Sequence, residues 1–146
     1  QSWYFDLRMI EQYWSEGAAR KYHHTAPVNM IYSLHEGLRL VLEEGLPKVF
    51  ERHRKNSAAL QSGLEALRFR YIVEQPEKRL PMLHAVFLPE GLDEGSLRKE
   101  LRKECDLEIG GGLGKFAGKA WRIGLMGHAS REEKVEALLR DIRSVL

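Results

Sequence analysis

The residues able to do chemistry gather in two short stretches. The first is Tyr22-His23-His24-Thr25. Adjacent histidines rarely converge on one ion and no third ligand lies nearby, so a metal site fits poorly. The hydroxyls of Tyr22 and Thr25 suit a phosphate oxygen; a polar loop at a helix start is the alternative. The second stretch holds the glycines Gly110-Gly111-Gly112-Leu113-Gly114 and then Gly118-Lys119-Ala120-Trp121-Arg122. Its glycines imitate two phosphate-binding signatures and satisfy neither. Leu113 stands where a P-loop needs its first glycine, and Ala120 where it needs a hydroxyl. Gly112 to Ala117 matches a relaxed dinucleotide fingerprint, but a strand-like run follows instead of a helix. The glycines then read as a flexible or tightly turned loop that allows positive φ and close backbone approach. Arg122, between Trp121 and Ile123, is either an exposed strand arginine or a bidentate carboxylate clamp; the residues alone leave both open.

The other candidates read as structural. His53 falls on the apolar stripe of a helix and His84 lies inside a strand, so both are expected to be satisfied core histidines. Cys105 follows Glu104 and precedes Asp106, with no electropositive neighbour to lower its pKa, so it is not a nucleophile. The pairs Glu43-Glu44 and Glu132-Glu133 read as solvated helix faces. Serine-hydrolase elbows, HExxH and CxxC patterns are absent.

The elements that must position these residues follow from periodicity. Trp3, Leu7, Ile10 and Trp14 have helical spacing, and Gly17 ends that run. A loop leads through Pro27 to a helix from Val28 to Glu44, with Ile31, Leu34, Leu38, Val41 and Leu42 on one face. Gly45 and Pro47 mark a break. A second helix carries the stripe Leu46, Phe50, His53, Ser57, Leu60, Leu64 and Leu67, leaving Arg52, Arg54, Lys55 and Glu65 to solvent. Strands are expected at Phe69–Val73, Met82–Leu88, Asp106–Ile109 and Ala120–Leu125. A helix from Asp93 to Lys103 takes Asp93 as its N-cap, and Ser130 with Glu133 forms a capping box for the last helix. The order predicts an α+β fold: a small, mostly antiparallel sheet of about four strands covered by helices and preceded by long helices.

Composition bounds the function. At 146 residues, 43% hydrophobic and 30% charged, the chain is one ordinary globular domain. Its 23 basic and 21 acidic residues give a net charge of +2, which offers no reason to expect nucleic acid or an anionic membrane. A single cysteine excludes an internal disulfide framework. No apolar run reaches the length of a membrane span. The start lacks the basic and apolar regions of a signal peptide, and a cytoplasmic location is expected. It also lacks an initiator methionine, which suggests that the chain begins mid-protein or was processed or tagged.

Taken together, the two stretches carry a family signature. Tyr22-His23-His24-Thr25-Ala26-Pro27-Val28, followed by Tyr32-Ser33-Leu34 and Glu36, precedes Glu108-Ile109-Gly110-Gly111-Gly112-Leu113-Gly114 and Gly118 to Gly127. In this order they resemble the C-terminal part of class V aminotransferases of the alanine–glyoxylate and serine–pyruvate type. The resemblance runs from Trp3 to Leu146. It implies the C-terminal small domain of a fold type I pyridoxal 5'-phosphate enzyme that works as a homodimer. Residues 1–27 would be a helix and loop that pack on a large cofactor-binding domain, and 28–146 the small domain.

By the same resemblance, Tyr22 and Thr25 would bind the cofactor phosphate of the opposite subunit, and Arg122 the substrate carboxylate. The substrates would be a small amino acid, alanine or serine, and a 2-oxo acid, glyoxylate or pyruvate. The family's Schiff-base lysine and the aspartate facing the pyridine nitrogen have no counterpart here, so the chain alone is expected to be inactive. A fragment, an isolated domain or a separately encoded remnant would each account for this. The rival reading is a free-standing, non-catalytic α+β module that binds a partner protein or a small carboxylate.

Overall fold

The structure, a computed structural model, describes residues 2–17, 19 and 21–146. It divides into two units, Gln1–Gly45 and Leu46–Leu146.

In the first unit the expected N-terminal helix is broken into pieces. A 3-10 turn at Trp3–Phe5 leads to α1 (Leu7–Ile10), and a second 3-10 turn follows at Glu11–Tyr13. Asp6 is the reason. Its backbone is extended, and its carboxylate accepts the Arg8 N–H at 3.0 Å, so it starts a new helix in the middle of the periodic run. The helix predicted from Val28 to Glu44 forms over those residues as α2 (Val28–Glu44). Pro27 occupies its N-cap, and Gly45, at φ +82°, ends it. Arg39 bonds to Glu36 and Glu43 on the same helix, each at 2.8 Å. None of the residues of α2 is buried. Its apolar side chains point outward on more than one face: Met30, Ile31, Tyr32, Leu34, Leu38 and Leu40 are all more than half exposed.

The second unit is a sheet with helices on one side. It comprises α3 (Leu46–Ala66), β1 (Arg70–Tyr71), β2 (Leu83–Phe87), α4 (Glu94–Cys105), β3 (Gly110–Gly111), β4 (Ala120–Gly124) and α5 (Glu132–Val145). The strands lie in the order β1-β2-β4-β3, and every neighbouring pair is antiparallel. The predicted α+β architecture is the observed one. Alternation along β4 sends Trp121 and Ile123 inward and Arg122 outward; on β2 it sends His84 and Val86 inward. The inward set packs with Leu60 and Leu64 of α3, Leu97 and Leu101 of α4, and Val135 and Ile142 of α5. Fully burying one such leucine is worth about 1.5–3 kcal/mol, so this layer is what holds the sheet.

Three local expectations are corrected. Asp106–Ile109 is not a strand: α4 runs on to Cys105, and Asp106 terminates it in the left-handed region at φ 51°. Aspartate tolerates that conformation, and the strand forms instead at Gly110–Gly111, at the start of what reads as a loop. Ser130 does not cap α5; Arg131 holds the N-cap position without a side-chain bond. Ser130 is instead fully buried, and its hydroxyl accepts from Asn56 Nδ2 at 3.3 Å, tying α3 to the start of α5. Nor is Arg52 simply solvated. Its guanidinium donates to the carbonyls of Gly127 at 2.9 Å and Ser130 at 2.7 Å, fastening the same corner.

Candidate functional site

Arg122 owes its position to its neighbours in sequence. Trp121 is fully buried against Phe69, with ring centroids 5.3 Å apart, and Ile123 is buried beside it. The intervening residue must therefore face away from the helices. Arg122 pairs with Gly110 on β3 and with Ala85 on β2. Its Nε donates to the Gly111 carbonyl at 2.8 Å. Its two terminal nitrogens have no hydrogen-bond partner among the described residues, so a planar fork is presented on the open face of the sheet. That face also carries Phe87, whose ring meets Phe116 at 5.8 Å and lies under the Arg70 guanidinium at 5.8 Å.

The glycines shape this fork. A methyl group on Gly110 would stand 3.3 Å from the Arg122 carbonyl and 3.5 Å from Arg122 Nη2. One on Gly112 would lie 2.1 Å from the Phe116 carbonyl oxygen, closer than any contact a protein tolerates. The Gly112 N–H donates to Ala120 O at 2.7 Å, which closes the β3–β4 hairpin. The close backbone approach expected of these glycines is thus made first to Arg122 and Phe116 of the same chain.

In the first unit, the expected hydroxyl pair does come together. Tyr22 and Thr25 are in direct hydrogen-bond contact through their hydroxyls, and the Tyr22 side chain is exposed. The backbone between them is pinned by Tyr13, a residue that spacing alone did not single out. The N–H groups of His23 and His24 donate to the Tyr13 hydroxyl at 2.9 and 2.7 Å, and that hydroxyl donates to His24 O at 2.5 Å. Trp3 stacks on His23 at 4.1 Å and Tyr4 on His24 at 4.3 Å. The aromatic N-terminus is therefore a pedestal for the Tyr22–Thr25 turn.

The remaining candidates behave as structural groups, but not as two satisfied core histidines: His53 is only half-buried, and the buried His84 Nε2 has no hydrogen-bond partner among the described residues. His84 is buried and bonded through Nδ1 to the Tyr71 hydroxyl at 2.6 Å. Burial holds its pKa below the ordinary histidine value and raises that of Tyr71. The Arg79 guanidinium sits 4.1 Å from the centre of the Tyr71 ring. His53 pairs through Nδ1 with Val49 O at 2.7 Å and accepts the Gly127 N–H at Nε2, 3.2 Å away. Cys105 is half-buried, its sulfur 3.9 Å from Ser144 Oγ. Among the described residues no histidine, cysteine or carboxylate cluster could hold a metal, and no helix is long and apolar enough to cross a membrane.

A four-stranded antiparallel sheet with helices on one face, as found here, is the C-terminal domain architecture of fold type I aminotransferases. No family model matches the sequence. Individual proteins do. (S)-ureidoglycine–glyoxylate transaminase of Bacillus subtilis is 45% identical over 143 residues, which is 98% of this chain and 34% of that protein. Alanine–glyoxylate aminotransferase of Callithrix jacchus is 40% identical over 146 residues, 99% of this chain and 35% of the relative. The crystal structure of an alanine–glyoxylate aminotransferase from Nostoc superposes with a TM-score of 0.87 at 43% identity, covering 99% of this chain and 37% of that one. The chain is a homologue of the C-terminal part of class V aminotransferases of the alanine–glyoxylate type, and it spans about a third of the length of the relatives it matches.

Proposed function

We propose that this chain works as the C-terminal domain of a pyridoxal-phosphate-dependent aminotransferase that moves an amino group between a small amino acid, alanine or serine, and a 2-oxo acid, glyoxylate or pyruvate. The observation that carries this reading is the Arg122 fork. One nitrogen is fixed by Gly111 O at 2.8 Å, and the two that match a carboxylate are left open, in a chain 45% identical to a transaminase acting on glyoxylate.

In this reading Arg122 takes the α-carboxylate of the substrate through two parallel hydrogen bonds. Fixing both carboxylate oxygens sets the direction of the substrate's Cα–H bond, which a point charge would not. The touching hydroxyls of Tyr22 and Thr25 have the donor chemistry that phosphate oxygens accept, and the Tyr13 bonds keep their backbone from shifting. They would hold the phosphate of the cofactor belonging to the opposite subunit of a homodimer. Pyridoxal phosphate, when bound, supplies the electron sink that makes Cα–H cleavage accessible. Only the phosphate end of that cofactor finds partners in this chain, because no lysine here stands in the family's motif. The isolated chain is therefore inactive in this reading, and a large cofactor-binding domain of the same enzyme completes it.

Residues 1–27 would lie against that large domain, with 28–146 forming the small one. The outward-facing apolar residues of α2 support a role that includes being covered, since a helix apolar on several faces is ordinarily buried by something. A cytoplasmic setting completes the proposal. The test is steady-state kinetics of the full-length enzyme carrying Arg122→Lys. An unchanged dependence on amino-acid concentration would overturn the assignment.

A further inference from the structure

Strand β3 consists of two glycines, so it has no side chain of its own to pack. Glycine is also the residue that ordering costs most. Yet β3 supplies the carbonyl that fixes Arg122, and something must hold it. On its far edge it pairs with no other strand among the described residues. Strand alternation turns Gly110 toward the open face, beneath Arg122, and Gly111 toward the helices. There it meets an ion pair. A methyl on Gly111 would stand 3.3 Å from both Arg98 Nη2 and Glu94 Oε1. Glu94 lies in the first turn of α4, with Asp93 capping that turn by accepting the Ser96 N–H at 2.8 Å. Its side chain is only 6% exposed, and its carboxylate accepts directly from Arg98 Nε one turn on. Arg98 Nη1 reaches the carbonyl of Ile109, just before β3, at 3.5 Å.

We infer that the Glu94–Arg98 pair is a positioning device for the substrate-binding arginine: it braces β3 from the helix side so that Gly111 O holds Arg122 Nε in one orientation. This rests on the proposed role of Arg122 as carboxylate clamp. Glu94 and Arg98 stand on the helix side of β3, opposite the face that presents Arg122; they act through two glycines thin enough to transmit the position of one arginine to another. The small size of Gly111 then has a specific purpose, since a side chain there would push the pair away from the strand.

Two readouts test this. In the chain itself, the Arg122 Nε–H gives an NMR signal whose solvent exchange reports the bond to Gly111. Arg98→Met, and the double change Glu94→Gln/Arg98→Met, which leaves no carboxylate buried without its partner, should each speed that exchange about tenfold or more. In the full-length enzyme the same changes should raise KM for the amino acid about tenfold while cofactor content stays unchanged, and they should add nothing in an Arg122→Ala background. Exchange and KM both staying within about twofold, in variants that keep the fold, would overturn the inference. So would an effect that persists undiminished beside Arg122→Ala, because it would mark a purely structural role. If Arg122→Ala itself leaves KM unchanged, the clamp reading falls and takes this inference with it, whereas the exchange measurement still shows whether Arg98 braces Gly111.

Discussion

At the scale of single residues, the proposed function gives Arg122 and Tyr22 two different tasks, which substitution can separate. Lysine at position 122 keeps the charge and loses the planar fork. Arg122→Lys in the full-length enzyme is therefore expected to lower kcat/KM for amino acids by roughly one to three orders of magnitude, the scale of a charged bidentate contact worth a few kcal/mol. Cofactor retention should hardly move. Tyr22→Phe removes one of the two touching hydroxyls and should give the reverse pattern, with weaker retention on dialysis. If Arg122→Lys released cofactor while the amino-acid dependence stood, the two assignments would be exchanged.

A second residue-scale expectation comes from His84. Burial lowers its pKa from the ordinary histidine value of 6.5, so the folded chain binds fewer protons there than the unfolded one. Its contribution is fully present above that value and is lost as pH falls below it toward the folded pKa. Facing it are the Tyr71 hydroxyl, the Pro81 backbone carbonyl, which favours the charged form, and the Arg79 guanidinium, which disfavours a second positive charge. Denaturant unfolding should show stability falling as pH drops below 6.5, with a shallower slope in His84→Gln. Equal slopes in the two proteins would refute this. Residue type made His84 legible as a core histidine. It did not reveal Tyr13, because the hydroxyl that pins His23 and His24 acts over ten positions through backbone donors that no side-chain pattern records.

At the scale of elements, periodicity was informative where one face of an element is buried. The second half of α3, the helices α4 and α5 and the strands β2 and β4 could be read this way, since Leu60, Leu64, Leu97, Leu101, Val135, Ile142, Val86 and Trp121 all stand on their buried sides, whereas Leu46 and Phe50 at the start of the α3 stripe are exposed. It was silent for β3, whose two glycines carry no pattern, and misleading at Asp106–Ile109, where alternation coincided with a left-handed helix end. Ser130 shows a competition of another kind: a good capping residue was drawn into a buried bond with Asn56. Since a Cβ at Gly112 would fall 2.1 Å from the Phe116 carbonyl oxygen, Gly112→Ala must displace backbone. It is expected to cost about 1–3 kcal/mol, the range for overpacking, and to loosen Arg122. At Gly114, where φ is +55° and nothing lies within 4 Å, alanine strains only the local backbone, so Arg122 should keep its place. Thermal unfolding and the exchange of the Arg122 Nε–H compare the two. Equal effects on Arg122 would show that the Phe116 contact does not shape the fork.

At the scale of the whole molecule, the sequence pattern of α2 correctly gave a helix but not its surroundings. An apolar stripe ordinarily announces a buried face, yet Ile31, Leu34 and Leu38 are 54%, 62% and 53% exposed, and Met30, Tyr32 and Leu42 add further apolar surface. Nothing in a stripe says whether its cover lies in the same chain. Patches of this kind on an isolated chain drive association, because removing apolar surface from water is favourable whatever the partner. The chain alone is therefore expected to self-associate in sedimentation or light scattering, and to show no transamination. Replacing Leu34 and Leu38 by glutamate places two charges on one turn of α2 without removing a buried contact, because neither side chain is buried. That variant should be monomeric as an isolated chain and just as stable. Introduced into the full-length enzyme, the same substitutions should impair assembly if, as proposed, the large domain or the partner subunit covers the stripe there. A wild-type chain that stays monomeric at high concentration, together with a full-length double variant that assembles normally, would show that α2 is built to face water.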